Sequence, residues 1–206
     1  MKITKSWNGL KQIENGDYVL EGDLISEESI EIELDDRLVV NGKIVAKKCI
    51  KAGWGIKAGC GIEAGEGIKA GWGIEAGEGI KAGWGIKAGC GIEAGEGIKA
   101  GWGIEAGWGI KAGWGIEAGE GIKAGCGIEA GWGIEAKTFI HSEKRIFAGV
   151  SVYYDSKNCK KTIKCAELRK GEIAYGELII EEQVIEMTIA EIEAKLGIKN
   201  LKIKEN

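Results

Sequence analysis

Six cysteines, one histidine and eight tryptophans are the residues of this chain whose chemistry could exceed packing. Cys60, Cys90 and Cys126 recur in one slot of a repeated unit, whereas Cys49, Cys159 and Cys165 lie outside the repeats. Closely spaced thiolates, or a cysteine near a histidine, would hold zinc or exchange disulfides. No pair has Cys-x-x-Cys spacing, and His141 stands alone in Thr138-Phe139-Ile140-His141, where it reads as a solvent-facing strand residue. No nucleophile, base and orienting group are assembled by the spacing. The recurring Gly-x-Gly units lack the Lys-Ser/Thr ending and following helix of a phosphate loop. The expectation is a protein that is not an enzyme, with no cofactor, no metal and reduced thiols in a cytoplasm. The tryptophans are different. Trp54, Trp72, Trp84, Trp102, Trp108, Trp114 and Trp132 all occupy the slot that Cys and Glu share.

That slot belongs to residues 50–133, fourteen uninterrupted copies of Ile-(Lys/Glu)-Ala-Gly-(Trp/Cys/Glu)-Gly. A fixed short period means a stacked architecture. Ile and Ala are two apart and share one face of an extended segment, with the charged residue opposite. Gly-x-Gly follows, and glycine takes positive φ without a Cβ penalty, so a corner is expected every six residues. A helix is excluded, because period six scatters Ile and Ala around it and two glycines cost roughly 2 kcal/mol per unit relative to Ala. Collagen needs glycine at every third position and abundant proline, and this chain has none.

The order Ala64-Gly65-Glu66-Gly67, with its glycine-flanked outward residue, resembles the hexapeptide-repeat left-handed β-helix, a triangular solenoid of three hexads per coil. The resemblance implies an all-β, single-stranded β-helix, left-handed and triangular. This sequence differs by placing Ala at the larger aliphatic position and Ile at the small one. A flat coil of two hexads is the competing geometry. Charge favours three, since seven of twelve vertically stacked Lys/Glu neighbours are then opposite in sign, against four of thirteen for two hexads per coil.

Residues 1–49 read as irregular opening coils, with Val19-Leu20, Leu24-Ile25, Ile30 to Leu34, Leu38 to Val40 and Ile44 to Ala46 as strands between polar turns. This stretch also resembles the polymer-forming bactofilins. Residues 50–136 form the regular solenoid. Residues 137–187 are expected to be closing coils, with strands over 150–154 and 172–180, because a solenoid must cover its hydrophobic ends. In residues 188–206 a Thr188/Glu191 capping box, a Met187/Ile192 staple, an Ile189/Ile192/Leu196 stripe and Gly197 predict a short capping helix, and Leu201 to Ile203 a last strand. This tail resembles those of small bacteriophage and mobile-element proteins.

Net charge is −4 and Lys nearly balances Glu within the repeats, so direct nucleic-acid binding is not expected. Acidic clusters at residues 27–36 and 177–186 read as a solvated face, or as nucleic-acid mimicry towards a basic partner. No charged-then-apolar leader and no long apolar run are present, giving the expectation of a cytoplasmic protein without membrane contact. An indole would not fit a core sized for Ile and Ala, so the corner tryptophans should point outward. With three hexads per coil Trp54 stacks with Trp72, Trp84 with Trp102 and Trp114 with Trp132. Stiffening of the corners, binding of a protein or a second copy, and carbohydrate binding are the uses open to them. Residues 51–80 and 81–110 match everywhere except Glu78 against Trp108, a five-hexad duplication that moves each corner residue to another edge. Further contact candidates lie at the irregular ends: Trp7, Tyr153, Tyr154, Tyr175 and the basic stretch 157–164, with ordinary capping contacts as their alternative. The expected function is non-enzymatic protein binding, as a mobile-element inhibitor that occludes a host defence nuclease complex in anti-CRISPR-like or anti-restriction-like fashion. A structural polymer and an acyltransferase relative, with its catalytic histidine and trimer cleft for coenzyme A, are the rival classes. The partner would be a protein or another copy, as in a homodimer.

Overall fold

The computed structural model describes residues 1–150 and 161–181. Every hexad of the repeat contributes one three-residue strand, from Ile50–Ala52 through Ile128–Ala130, in which Ile and Ala are buried and the intervening Lys or Glu faces outward. Each strand pairs in parallel with the strand eighteen residues away: Ile62 lies opposite Ile80 and Ala64 opposite Ala82. Eighteen residues are three hexads, so the coil has three faces, and the two-hexad alternative is excluded. The first face begins with Ile50–Ala52, the second with Ile56–Ala58 and the third with Ile62–Ala64. Nine strands stack on the third face, from Leu24–Ser26 to Glu177–Ile180. At about 4.8 Å per step the stack rises close to 40 Å. The protein is an all-β solenoid, and no helix occurs among the described residues.

The core is a column of one residue type per level. Isoleucines from all three faces meet on the axis with 0–1% of their surface exposed, and the alanines beside them fill the narrow corners. Burying each isoleucine contributes roughly 2 kcal/mol. Outside, six of the seven opposite-charge neighbours stand within 4.0 Å as ion pairs, among them Lys81 with Glu63, Lys87 with Glu105 and Lys99 with Glu117. All are exposed, so each contributes little, well under about 1 kcal/mol.

The corners correct one expectation. No glycine of the repeat has positive φ; among the described residues that conformation is confined to Gly9, Gly16, Gly22, Gly149, Gly171 and Gly176 in the irregular ends. The hexad requires its fourth-position glycine for another reason. A Cβ on Gly71 would lie 1.9 Å from the Gly53 carbonyl oxygen one coil below, and on Gly83 1.9 Å from that of Gly65. The backbone ladder continues around the corners, with Gly71 N–H donating to Ala52 O and Trp84 N–H to Glu66 O. Coils this close leave no room for a side chain along the axis. Most sixth-position glycines are less constrained: a Cβ on Gly73 would stand 3.4 Å from Gly91 O, although one on Gly121 would meet the Phe139 ring at 2.4 Å.

The opening coils carry the expected strands, Tyr18–Leu20, Leu24–Ser26, Ile30–Ile32, Leu38–Val40 and Ile44–Ala46. Beneath them Lys2–Ile3 pairs in parallel with Ile30–Ile32, and Leu10–Gln12 turns back antiparallel against Tyr18–Leu20. In the closing coils Phe139–Ala148 runs as one strand across two faces, with Ile140 opposite Ile122 and Ile146 opposite Ile128. Buried Ser142 replaces the alanine there and donates its hydroxyl to Cys126 O. On the third face Ile134 pairs with Ile163, 29 positions on instead of 18, and most of the excess falls in residues 151–160. Two strands, Glu167–Tyr175 and Glu177–Ile180, take the place of the one expected over 172–180. Val150 lies in no strand and the rest of the strand expected over 150–154 lies outside the described residues, as do the capping helix and last strand.

Candidate functional site

Corner residues form three ridges because each sits directly over the corner residue eighteen positions earlier. The ridge between the first and second faces reads Trp54, Trp72, Cys90, Trp108, Cys126. The ridge between the second and third reads Cys60, Glu78, Glu96, Trp114, Trp132, and the remaining one Glu66, Trp84, Trp102, Glu120. Tryptophan neighbours stack where the columns bring them together. Trp54 and Trp72 have ring centroids 5.4 Å apart, Trp84 and Trp102 5.3 Å, and Trp114 and Trp132 5.5 Å, with interplanar angles of 23°, 7° and 8°. Each stack adds about 1 kcal/mol beyond area burial. Stacking does not cover the rings: Trp72 and Trp102 remain 55% and 54% exposed, and Trp108, without a tryptophan beside it, 65%. Only Trp132 of the seven is part-buried.

Shallow grooves run between each ridge and the charged ladder of the next face. One, floored by Gly55, Gly73 and Gly91, is lined by Trp54, Trp72, Cys90 and Trp108 and by Glu75, Glu93 and Lys111 opposite. Another carries Trp114 and Trp132 beside Glu117 and Glu135. The sixth-position glycines create these grooves by placing no side chain between ridge and ladder.

The candidates at the ends divide. Trp7 packs part-buried against the core, a capping contact. Tyr175 is exposed with Lys161 Nζ 5.5 Å from its ring centre. Tyr153 and Tyr154 lie outside the described residues, as does the first half of the 157–164 stretch. The acidic cluster at 27–36 is largely matched by cations: Glu27 by Lys47, Glu28 by Lys48, Glu33 by Lys2 and Asp35 by Lys5. Hydrogen bonds from Lys5 and Lys48 hold the Asp35 and Glu28 carboxyls below the usual carboxylate range. This pairing weakens the negative field that nucleic-acid mimicry would need from this cluster. Of the second cluster only residues 177–181 are described.

One polar group escaped sequence reasoning. Ile30 to Leu38 is an eight-residue step where the rule is six, and the wider corner gathers Asp17, Asp35 and Arg37. Arg37 Nη2 donates to Asp17 Oδ2 at 2.7 Å, and Tyr18 donates its hydroxyl to Asp35 Oδ1 at 2.8 Å. The longer step was the available signal.

Cys49, Cys60, Cys90, Cys126 and Cys165 are free thiols, and Trp108 separates Cys90 from Cys126 in their column. Burial raises the Cys165 pKa. His141 faces outward on Phe139–Ala148 with Nε2 2.8 Å from Glu143 Oε1, and Lys170 also bonds Glu143. No group of three or more His, Cys, Asp or Glu suited to a metal occurs among the described residues. No helix among them is long and apolar enough to cross a membrane. Compared with known proteins, no family model, no curated protein and no solved structure matches this chain.

Proposed function

We propose that the chain is a non-enzymatic protein-binding solenoid that presses a rigid aromatic ridge against a protein partner and occludes the surface it covers. The observation that carries this reading is the exposure left on Trp72 and Trp102 after stacking, because stiffening of the corners would be complete without it. Large indoles held in fixed positions lose little conformational entropy when a partner covers them, which is why tryptophan dominates binding hot spots. Carbohydrate is less well served, since each paired indole already turns one ring face to its neighbour. Pairing of the opening acidic cluster with lysines favours steric occlusion over charge mimicry. The finer form of the proposal, a mobile-element inhibitor of a host defence nuclease complex, rests on the tail resemblance, and that tail lies outside the described residues. We also take the coil to be left-handed, as in the hexapeptide-repeat proteins it resembles.

The polymer reading joins copies end to end or edge to edge, and its end-to-end form would stack coils. Against it stands the antiparallel strand Leu10–Gln12 at the opening end, which breaks the parallel register another coil would need. Sedimentation velocity over a wide concentration range tests the choice. A sharp monomer or dimer is expected, and filaments would overturn the binding reading. Binding of coenzyme A by a trimer would instead support the acyltransferase class.

A further inference from the structure

We infer that the notch formed by Trp72, Cys90 and Trp108 receives the guanidinium of an arginine presented by the protein partner. The inference rests on the protein-binding reading and names the chemistry of one contact. Cys90 is the one corner residue of the repeat with a tryptophan both directly below and directly above it in the same column, through Cys90 N–H to Trp72 O and Trp108 N–H to Cys90 O. Two coils separate the indoles, roughly 10 Å. A side chain as small as cysteine leaves that rung of the aromatic ladder empty. A planar group entering at the Cys90 level would lie about 5 Å from each indole, within the reach of cation–π attraction. It would reproduce the 5.3–5.5 Å spacing of the three existing stacks.

The opposite wall selects the charge of the occupant. Glu93 follows Cys90 onto the second face and lines the same groove, and it makes no ion pair with any described residue. Its expected partner Lys111 stands instead near Glu129, and Glu75 below is engaged by Lys57 and Arg37. One free carboxylate beside an empty aromatic rung matches a guanidinium, which stacks by its faces and bonds a carboxylate by its edge. A lysine ammonium lacks the flat face, and a neutral ring would leave Glu93 without a counter-charge.

The test titrates N-acetylargininamide into the full chain and follows the indole N–H resonances. Saturable shifts confined to Trp72 and Trp108 are expected, half-complete on the order of tens of millimolar for two exposed cation–π contacts and one exposed ion pair. N-acetyllysinamide and N-acetylphenylalaninamide should bind at least about threefold more weakly. Cys90→Trp fills the rung with a residue that the corners already accommodate, and should abolish the response while circular dichroism stays unchanged. Glu93→Gln should weaken it several-fold. The assignment is overturned by absence of saturation, by equal binding to Cys90→Trp, or by phenylalaninamide binding as well as argininamide. Should a captured protein partner be retained by Cys90→Trp, the notch is excluded as a contact while the binding function of the ridges stands.

Discussion

At the scale of single residues, the two glycines of the hexad look interchangeable in sequence and are not. Gly71 faces the Gly53 carbonyl group of the coil beneath so closely that a Cβ could fit only if backbone moved, whereas Gly73 faces a carbonyl at ordinary near-contact distance. Gly71→Ala is therefore expected to destabilise the fold by at least about 3 kcal/mol, and Gly73→Ala by about 1 kcal/mol or less. Equilibrium denaturation of the two variants checks the difference; equal losses would contradict the close-approach explanation. The need for glycine was legible in the sequence, but its cause was not. Positive φ is a property of one residue, whereas this constraint comes from a residue eighteen positions away. The tryptophan pairs were readable in advance because identical spacing places identical slots in register. The notch at Cys90 follows from the same column, but its charge selectivity does not, because Glu93 gains meaning only from the ion pair that Lys111 forms elsewhere.

At the scale of the element, strand and corner act as a cassette. Its fit depends on period, since every coil presents the same Ile and Ala to the coils above and below. Deleting residues 68–85 removes three hexads and leaves every remaining strand in register, so cooperative unfolding should persist in a rod shorter by about 4.8 Å. Deleting three residues from one hexad moves buried positions outward and should prevent cooperative folding. Thermal melts with small-angle scattering distinguish these outcomes, and collapse of the eighteen-residue deletion would contradict the stacking scheme. Regular coils and the strands of the opening coils were legible because hydrophobic alternation repeats there. The closing coils were less so. Phe139–Ala148 carries strand pairing around a corner without a break, with Glu143, Lys144 and Arg145 in place of Gly-x-Gly, and nothing local indicates that the pairing will run on through the bend. Likewise the antiparallel return of Leu10–Gln12 depends on a tertiary need to cover an edge.

Across the whole molecule the five-hexad duplication acquires a geometric meaning. Five hexads are one coil and two further faces, so successive copies of the Trp-x17-Trp unit land on different ridges. The pairs Trp54/Trp72, Trp84/Trp102 and Trp114/Trp132 thus distribute one to each ridge, climbing the rod as they turn. The ends are held partly by charge. Lysine hydrogen bonds depress Asp35, Glu28 and, midway along the rod, Glu105. A carboxylate depressed in the folded state contributes stability that is present above its unfolded pKa and lost as pH falls through the folded one. The opening coils should therefore loosen below about pH 4 before the isoleucine column does. Hydrogen exchange at neutral and acid pH, corrected for intrinsic rates, should show protection lost first around residues 28–38, and uniform loss would contradict this order. The decisive measurement concerns the ridges. Affinity capture from the native host should be compared between the full chain and a variant carrying glutamate at Trp54, Trp72, Trp84, Trp102, Trp114 and Trp132, with folding verified by circular dichroism. Specific capture of a protein by the native chain, lost in the folded variant, is the predicted result; equal capture by both would contradict a binding function for the tryptophan ridges.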